Sequence, residues 1–190
     1  SINPQNVCAY GTQVTTQEFV NAFADGKNVM IAAGMMRFAL QDNELALVVG
    51  HEVAHNQMGH VSKKTGNAAI GLVFDLIFAG AGVDTGGAFS KIGAGAFSQE
   101  FEAEADYVGL YLTARAGFNI EKAPNFWRRM GVLHPGSIRT NHGASHPSTP
   151  HRFIALEKTV KEINEKKKLG KALEPEKREY EPEKESDENS

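Results

Sequence analysis

The segment His51-Glu52-Val53-Ala54-His55 constrains this chain more than any other feature. Two histidines four residues apart lie one above the other on a helix, so both imidazoles can reach a single metal ion. The run before them, residues 45–50 (Leu-Ala-Leu-Val-Val-Gly), is apolar and drives the helix into the interior. Three polar side chains on the inner side of a buried helix are costly unless something binds them. Glu52, beside the first histidine, can take a proton from water at the metal and later deliver it to a leaving amine. The spacing predicts a helix capped by Asp42 or Asn43, with Leu45, Val48, Val49, Glu52 and His55 close to one face.

A catalytic zinc takes three protein ligands and keeps one open position. A three-histidine version of this motif needs a histidine ten residues after the first, where the chain has Val61, and a glycine where it has Met58. That version is excluded. His60 is one residue off and is expected to face the back of the helix. The single cysteine, Cys8, excludes both an intrachain disulfide framework and a cysteine-based zinc site. A second helix is predicted from near Ser98 to about Ala116, ended by Gly117. On it Glu102 and Asp106 share a face, and Gly109 continues that face and allows close helix approach. Glu102 is the better candidate for third ligand, with Asp106 accepting a hydrogen bond from the far nitrogen of a ligand histidine. Glu100 and Glu104 fall on another face and read as a solvated acidic stripe.

With 190 residues, 41% hydrophobic and 23% charged, the chain suits one domain. A formal charge of −3 gives no basis for nucleic-acid binding. Thr15, Glu18, Phe19 and Val20 suggest a short helix stopped by Gly26. Residues 28–33 read as a strand, 35–40 as helix, 67–78 as an apolar helix and 79–97 as a glycine-rich flexible connection. The apolar run 68–82 contains Asp75 and is shorter than the roughly 20 residues that span a bilayer. It reads as a buried helix or a membrane-surface flap. Further helices are expected over 121–130 and 151–168, joined by a loop over 133–150. The single domain is thus expected over 1–170, with 171–190 a charged, solvated tail. The chain starts at Ser1 rather than Met, which suggests a trimmed N-terminus and leaves export open.

His51-Glu52-x-x-His55 together with Glu102-Ala-Glu-Ala-Asp106-x-x-Gly109 resembles peptidase family M48. Members of that family include the CAAX prenyl proteases, the HtpX heat-shock peptidases and the mitochondrial overlapping-activity peptidases. Asn21-Ala22-Phe23-Ala24, the strand ending at Gly34, Asn43-Glu44-Leu45-Ala46 and Ser145-His146-Pro147-Ser148-x-x-x-Arg152 carry the same likeness, over about residues 14–156. Lacking several membrane-spanning helices, the chain looks like the compact branch found in bacterial envelopes. The resemblance implies a gluzincin fold: α+β, mainly helical, with a small sheet whose edge strand lies beside the motif helix. It implies one Zn2+ per chain on His51, His55 and Glu102, with Asp106 behind His51 and Glu52 as general base. It also implies that the strand Asn28, Val29, Met30, Ile31, Ala32, Ala33 is the edge to which a polypeptide substrate adds, an ordinary core strand being the alternative for any one residue in it.

His146 is a candidate oxyanion stabiliser and Arg152 a candidate loop or site support. Loop packing is the alternative role for both, and His134 or His142 can exchange roles with His146. The function expected is a zinc endopeptidase in protein quality control of the envelope, with membrane-surface contact through 68–82. The rival is a zinc-bearing chaperone or scaffold with low or latent activity, in which the glycine-rich segment covers the cleft. A purely structural zinc site is disfavoured, because such sites close the fourth position with another protein ligand.

Overall fold

The computed structural model describes residues 10–63, 97, 99–133, 146 and 150–176. The expected helix over 67–78, all of the glycine-rich connection but Phe97, Cys8, His134, His142 and the tail from 177 lie outside the described residues. Among those described, a three-stranded sheet packs against a group of helices in an α+β arrangement that is mainly helical.

The strands are β1 (Gly11–Thr15), β2 (Ala22–Ala24) and β3 (Asn28–Ala32), in the order β1-β3-β2. β1 runs parallel to β3, with Gly11 opposite Asn28 and Thr15 opposite Ala32. β2 runs antiparallel to it, with Phe23 opposite Met30. This corrects two expectations. The stretch after Thr15 is not a helix: Thr15 ends a strand, and Ala22 and Phe23 are buried in another. A capping pattern with room for only two or three turns before Gly26 forms no helix that stands without tertiary support, whereas pairing with β3 satisfies its backbone. Nor is the strand at 28–33 an edge. β3 is central, its hydrogen-bonding groups engaged by β1 on one side and β2 on the other, and Ala33 already belongs to the next helix. The edge strand beside the motif helix is β2.

The β2–β3 turn fastens the sheet to that helix. Asp25 accepts hydrogen bonds from the backbone of Lys27 and Asn28, and Gly26 takes the left-handed φ of 95° the turn requires. The Gly26 N–H then donates to Asn56 Oδ1 at 2.7 Å, and Asn56 Nδ2 donates to the Asn28 carbonyl at 3.0 Å.

Helix α1 (Ala33–Phe38) leads to α2 (Asp42–Gln57), the motif helix. Neither Asp42 nor Asn43 caps α2. The cap is Gln41, without a side-chain bond; Glu44 instead reaches back to the Leu40 N–H at 2.8 Å, and Asn43 accepts from the Asn119 N–H at 2.9 Å. Glu44 is itself held by Arg129 at 2.7 Å, and this pairing keeps its carboxyl below the usual range. A short helix α3 (His60–Lys63) follows. Helix α4 (Gln99–Arg115) packs along α2 and ends at Gly117 (φ 87°). Their closest approach is glycine on glycine: a Cβ on Gly50 would stand 2.4 Å from Thr113 Oγ1, and one on Gly109 2.9 Å from the His51 backbone. Helices α5 (Ala123–Leu133) and α6 (Pro150–Lys168) complete the core around Met35, Tyr111, Ile120, Phe126 and Leu156.

Past Gly170 the chain does not turn straight into solvent. Leu173 packs on the core, and the Glu176 N–H donates to Tyr107 Oη at 2.9 Å. The apolar side chain and the phenol supply partners that net composition does not register.

Candidate metal centre

The glycine contact decides the site, because it brings the inward faces of α2 and α4 within reach of one another. His51 (1% exposed), His55 (0%), Glu52 (2%) and Glu102 (0%) are all buried there. His51 Nε2 and His55 Nε2 lie 3.1 Å apart. Glu102 contributes Oε2 at 3.5 Å from the first and Oε1 at 3.4 Å from the second. A tetrahedral zinc with arms of about 2.0–2.1 Å has donor–donor edges of about 3.3–3.4 Å. The two imidazoles and the carboxylate therefore stand near the separations that one such ion would impose. Glu52 Oε2 is buried beside them without a hydrogen-bond partner among the described residues. The donor set fits a divalent metal.

Asp106 Oδ1 sits 3.0 Å from His51 Nδ1, on the side of the ring away from the other ligand atoms. Arg152 joins the two carboxylates of α4: Nη1 is 2.7 Å from Glu102 Oε2, while Nε and Nη2 donate to the two oxygens of Asp106 at 2.7 and 2.8 Å. The guanidinium is buried and lies 5.5 Å over the Trp127 ring, which is 5.0 Å from the ring of His51. His146 Nδ1 is 2.9 Å from Glu102 Oε1 and 3.3 Å from His51 Nε2, and its Nε2 is 3.4 Å from Glu52 Oε1. His51, His55, Glu102 and His146 form one group whose ligand atoms all lie within 4.8 Å of one another.

The electrostatics follow from these contacts. Burial opposes charge on His51, but hydrogen bonds to Asp106 and Glu102 outweigh it and raise its pKa to about 10. Burial holds His55 well below the usual imidazole range. For Glu102, burial favours the neutral acid, yet the neighbouring His146 and the Arg152 guanidinium keep it well below an ordinary carboxyl. Asp106 is likewise lowered against its burial, chiefly by Arg152. Without a metal, His51 is thus an imidazolium and His55 a neutral ring, facing an ionised Glu102.

Four participants escaped the sequence reading. His60 does not face the back of the helix: it is fully buried, with Nδ1 3.0 Å from His55 Nδ1 and Nε2 2.9 Å from Glu104 Oε2. Glu104 is consequently half-buried and paired rather than part of a solvated stripe, while Glu100 is exposed. The missed signal was Gly59, which breaks the helix with φ 68° and redirects the next residue. Trp127 and Phe97, the latter stacked on His55 at 3.7 Å, carry no local signal. Asn28 to Ala33 contribute no side chain to the four-residue group.

The model of "Peptidase family M48" matches residues 4–160. The "Mitochondrial metalloendopeptidase OMA1" of Arabidopsis thaliana is 32% identical over 149 residues, covering 75% of this chain and 30% of that protein. Its namesake in Schizosaccharomyces pombe is 32% identical over 155 residues, covering 77% and 45%. The "Beta-barrel assembly-enhancing protease" of Escherichia coli strain K12 is 26% identical over 126 residues, covering 58% and 26%. The chain thus spans less than half the length of each of these relatives.

Proposed function

Because the chain belongs to peptidase family M48, we propose that it is a zinc-dependent endopeptidase. In this reading His51, His55 and Glu102 hold one Zn2+ and Glu52 is the general base. The observation that carries it is the buried convergence of two histidine Nε2 atoms and the Glu102 carboxylate beside Glu52 Oε2, which has no hydrogen-bond partner among the described residues. When bound, zinc supplies Lewis-acid activation of water and of the scissile carbonyl. Glu52 takes the water proton and passes it to the departing amine. Asp106 holds the His51 ring with Nε2 turned inward, and Arg152 holds Asp106 and Glu102 together. His146, in the same group, hydrogen-bonds the developing oxyanion.

Polypeptides are the substrates in this proposal, and the setting is protein quality control in a bacterial envelope. The β-barrel assembly in the name of the Escherichia coli relative supports that setting. No helix among the described residues is long and apolar enough to cross a membrane; contact with a membrane surface through 68–82 belongs to the proposal, as does a single domain over 1–170.

Metal analysis paired with casein proteolysis tests it. The parent should bind one zinc and cleave; Glu52→Gln should bind one zinc and lose about 10²- to 10⁴-fold in rate; Glu102→Ala should lose the metal. Glu52→Gln that keeps its zinc and cleaves as fast as the parent refutes the reading.

One observation favours a second state of the same site. His146 Nδ1 stands within the four-donor group, where it would close the position a substrate needs, so that activity is low or latent until it withdraws. His146→Ala separates the roles: oxyanion support predicts slower cleavage, and closure predicts faster cleavage.

A further inference from the structure

The two ligand histidines are supported differently. A metal-bound imidazole is oriented by what its other nitrogen meets, most often a carboxylate, a backbone carbonyl or water. His51 has Asp106. Among the described residues, His55 has no carboxylate behind it. It has a second imidazole, His60, with the two Nδ1 atoms 3.0 Å apart and both rings fully buried.

At that separation one nitrogen must donate and the other accept. If His55 turns the lone pair of Nε2 toward the metal, its proton is on Nδ1 and donates to His60. The proton of His60 is then on Nε2, which lies 2.9 Å from Glu104 Oε2. Both hydrogen bonds close in a single tautomer assignment, and the chain ends on a carboxylate that reaches solvent.

The local fold builds this arrangement. On an uninterrupted helix, a residue five positions after His55 would point well away from it. Gly59, with φ 68°, ends α2 and starts α3 in a new direction, so His60 swings beneath His55. Phe101 stacks on the His60 ring at 4.4 Å and 15°, fixing its plane, and Phe97 does the same for His55.

We propose that His60 and Glu104 form a positioning relay that fixes the tautomer and orientation of His55 for zinc. The proposal rests on the metal site described above. Neither residue touches substrate or metal; they act through His55.

Zinc competition against a chelator, with thermal melting of the metal-free proteins alongside, tests it. His60→Phe keeps an aromatic ring in the stack but removes the acceptor. It should bind zinc about 10- to 100-fold more weakly while its metal-free melting stays close to the parent's. His60→Asn, which restores an acceptor oxygen near the Nδ1 position, should recover most of the affinity. Glu104→Leu, at a half-exposed site that folding tolerates, should weaken binding toward the lower end of that range. Independently, long-range proton–nitrogen NMR of the zinc-loaded parent should find His60 protonated on Nε2 and His55 on Nδ1.

Parent-like affinity in His60→Phe or in Glu104→Leu, or a His60 protonated on Nδ1, overturns the relay. If His60→Phe does not fold, Glu104→Leu and the tautomer spectrum decide it. A parent that binds no zinc overturns the metal site and the relay together, whereas a zinc-binding parent matched by the variants overturns the relay alone.

Discussion

At the scale of single residues, the two proposed ligand histidines differ in charge before any metal arrives. His51, raised to about 10 by Asp106 and Glu102 against its burial, carries a proton at neutral pH; His55, depressed by burial, does not. A metal needs the lone pair on both. Zinc binding should therefore release about one proton between pH 7 and 9, and affinity should rise about tenfold per pH unit below 10. Calorimetry in two buffers of different ionisation enthalpy measures that proton, and release of none contradicts the assignment. Arg152 poses the complementary case. Its guanidinium is buried against Glu102 and Asp106, so Arg152→Leu leaves two buried carboxylates without their cation. Loss of one partner of a buried ion pair costs about 3–5 kcal/mol, to be read from urea denaturation of the metal-free protein.

At the scale of elements, α2 and α4 meet backbone to backbone through Gly50 and Gly109. Gly109→Ala would place a methyl 2.9 Å from the His51 Cα, so the helices must part. Overpacking of this kind costs about 1–3 kcal/mol, and here it also moves Glu102 away from the histidines. Weaker zinc binding should accompany the lost stability. Gly117→Ala is the control: its φ of 87° makes alanine strained, by about 1–2 kcal/mol, but nothing lies within 4 Å of the added carbon, so zinc affinity should not change. Equal effects of the two variants on zinc binding would contradict the role given to the glycine contact.

For the whole molecule, the metal-free site sets a pH dependence of stability. The raised pKa of His51 contributes stability that is complete below its ordinary value of 6.5 and lost as pH climbs toward about 10. The lowered pKa of His55 acts oppositely: below 6.5 the unfolded chain takes up a proton that the folded one does not, so stability falls with acid. Glu102 and Asp106, both depressed, add a further loss as pH drops below their ordinary values of 4.5 and 3.8. The contribution of this cluster therefore peaks near pH 6.5. Zinc, whose binding strengthens as pH rises, should shift the maximum upward. Melting curves from pH 4 to 9, with zinc and with a chelator, read both maxima; a metal-free optimum at pH 8 or above would contradict the protonation pattern.

The sequence by itself determined whatever depends on neighbours along one helix. The four-residue spacing of His51 and His55, the turn separating Glu102 from Asp106, and the small residue at Gly109 are consequences of helical periodicity, which needs no partner to be read. The stops at Gly117 and Gly170 are legible for the same reason, since a left-handed residue ends a helix locally. The tertiary structure decided what depends on pairing across the chain. Whether Asn28 to Ala32 form an edge or a centre depends on β1 and β2 arriving on either side. Whether Thr15 begins a helix or ends a strand depends on Ala32 lying opposite it. His60 and Glu104 gain partners only because Gly59 turns the chain and α4 crosses behind it. A hydrogen bond between residues 44 positions apart leaves no period in the sequence. It exists only once the burial of two helices against each other has brought its ends together.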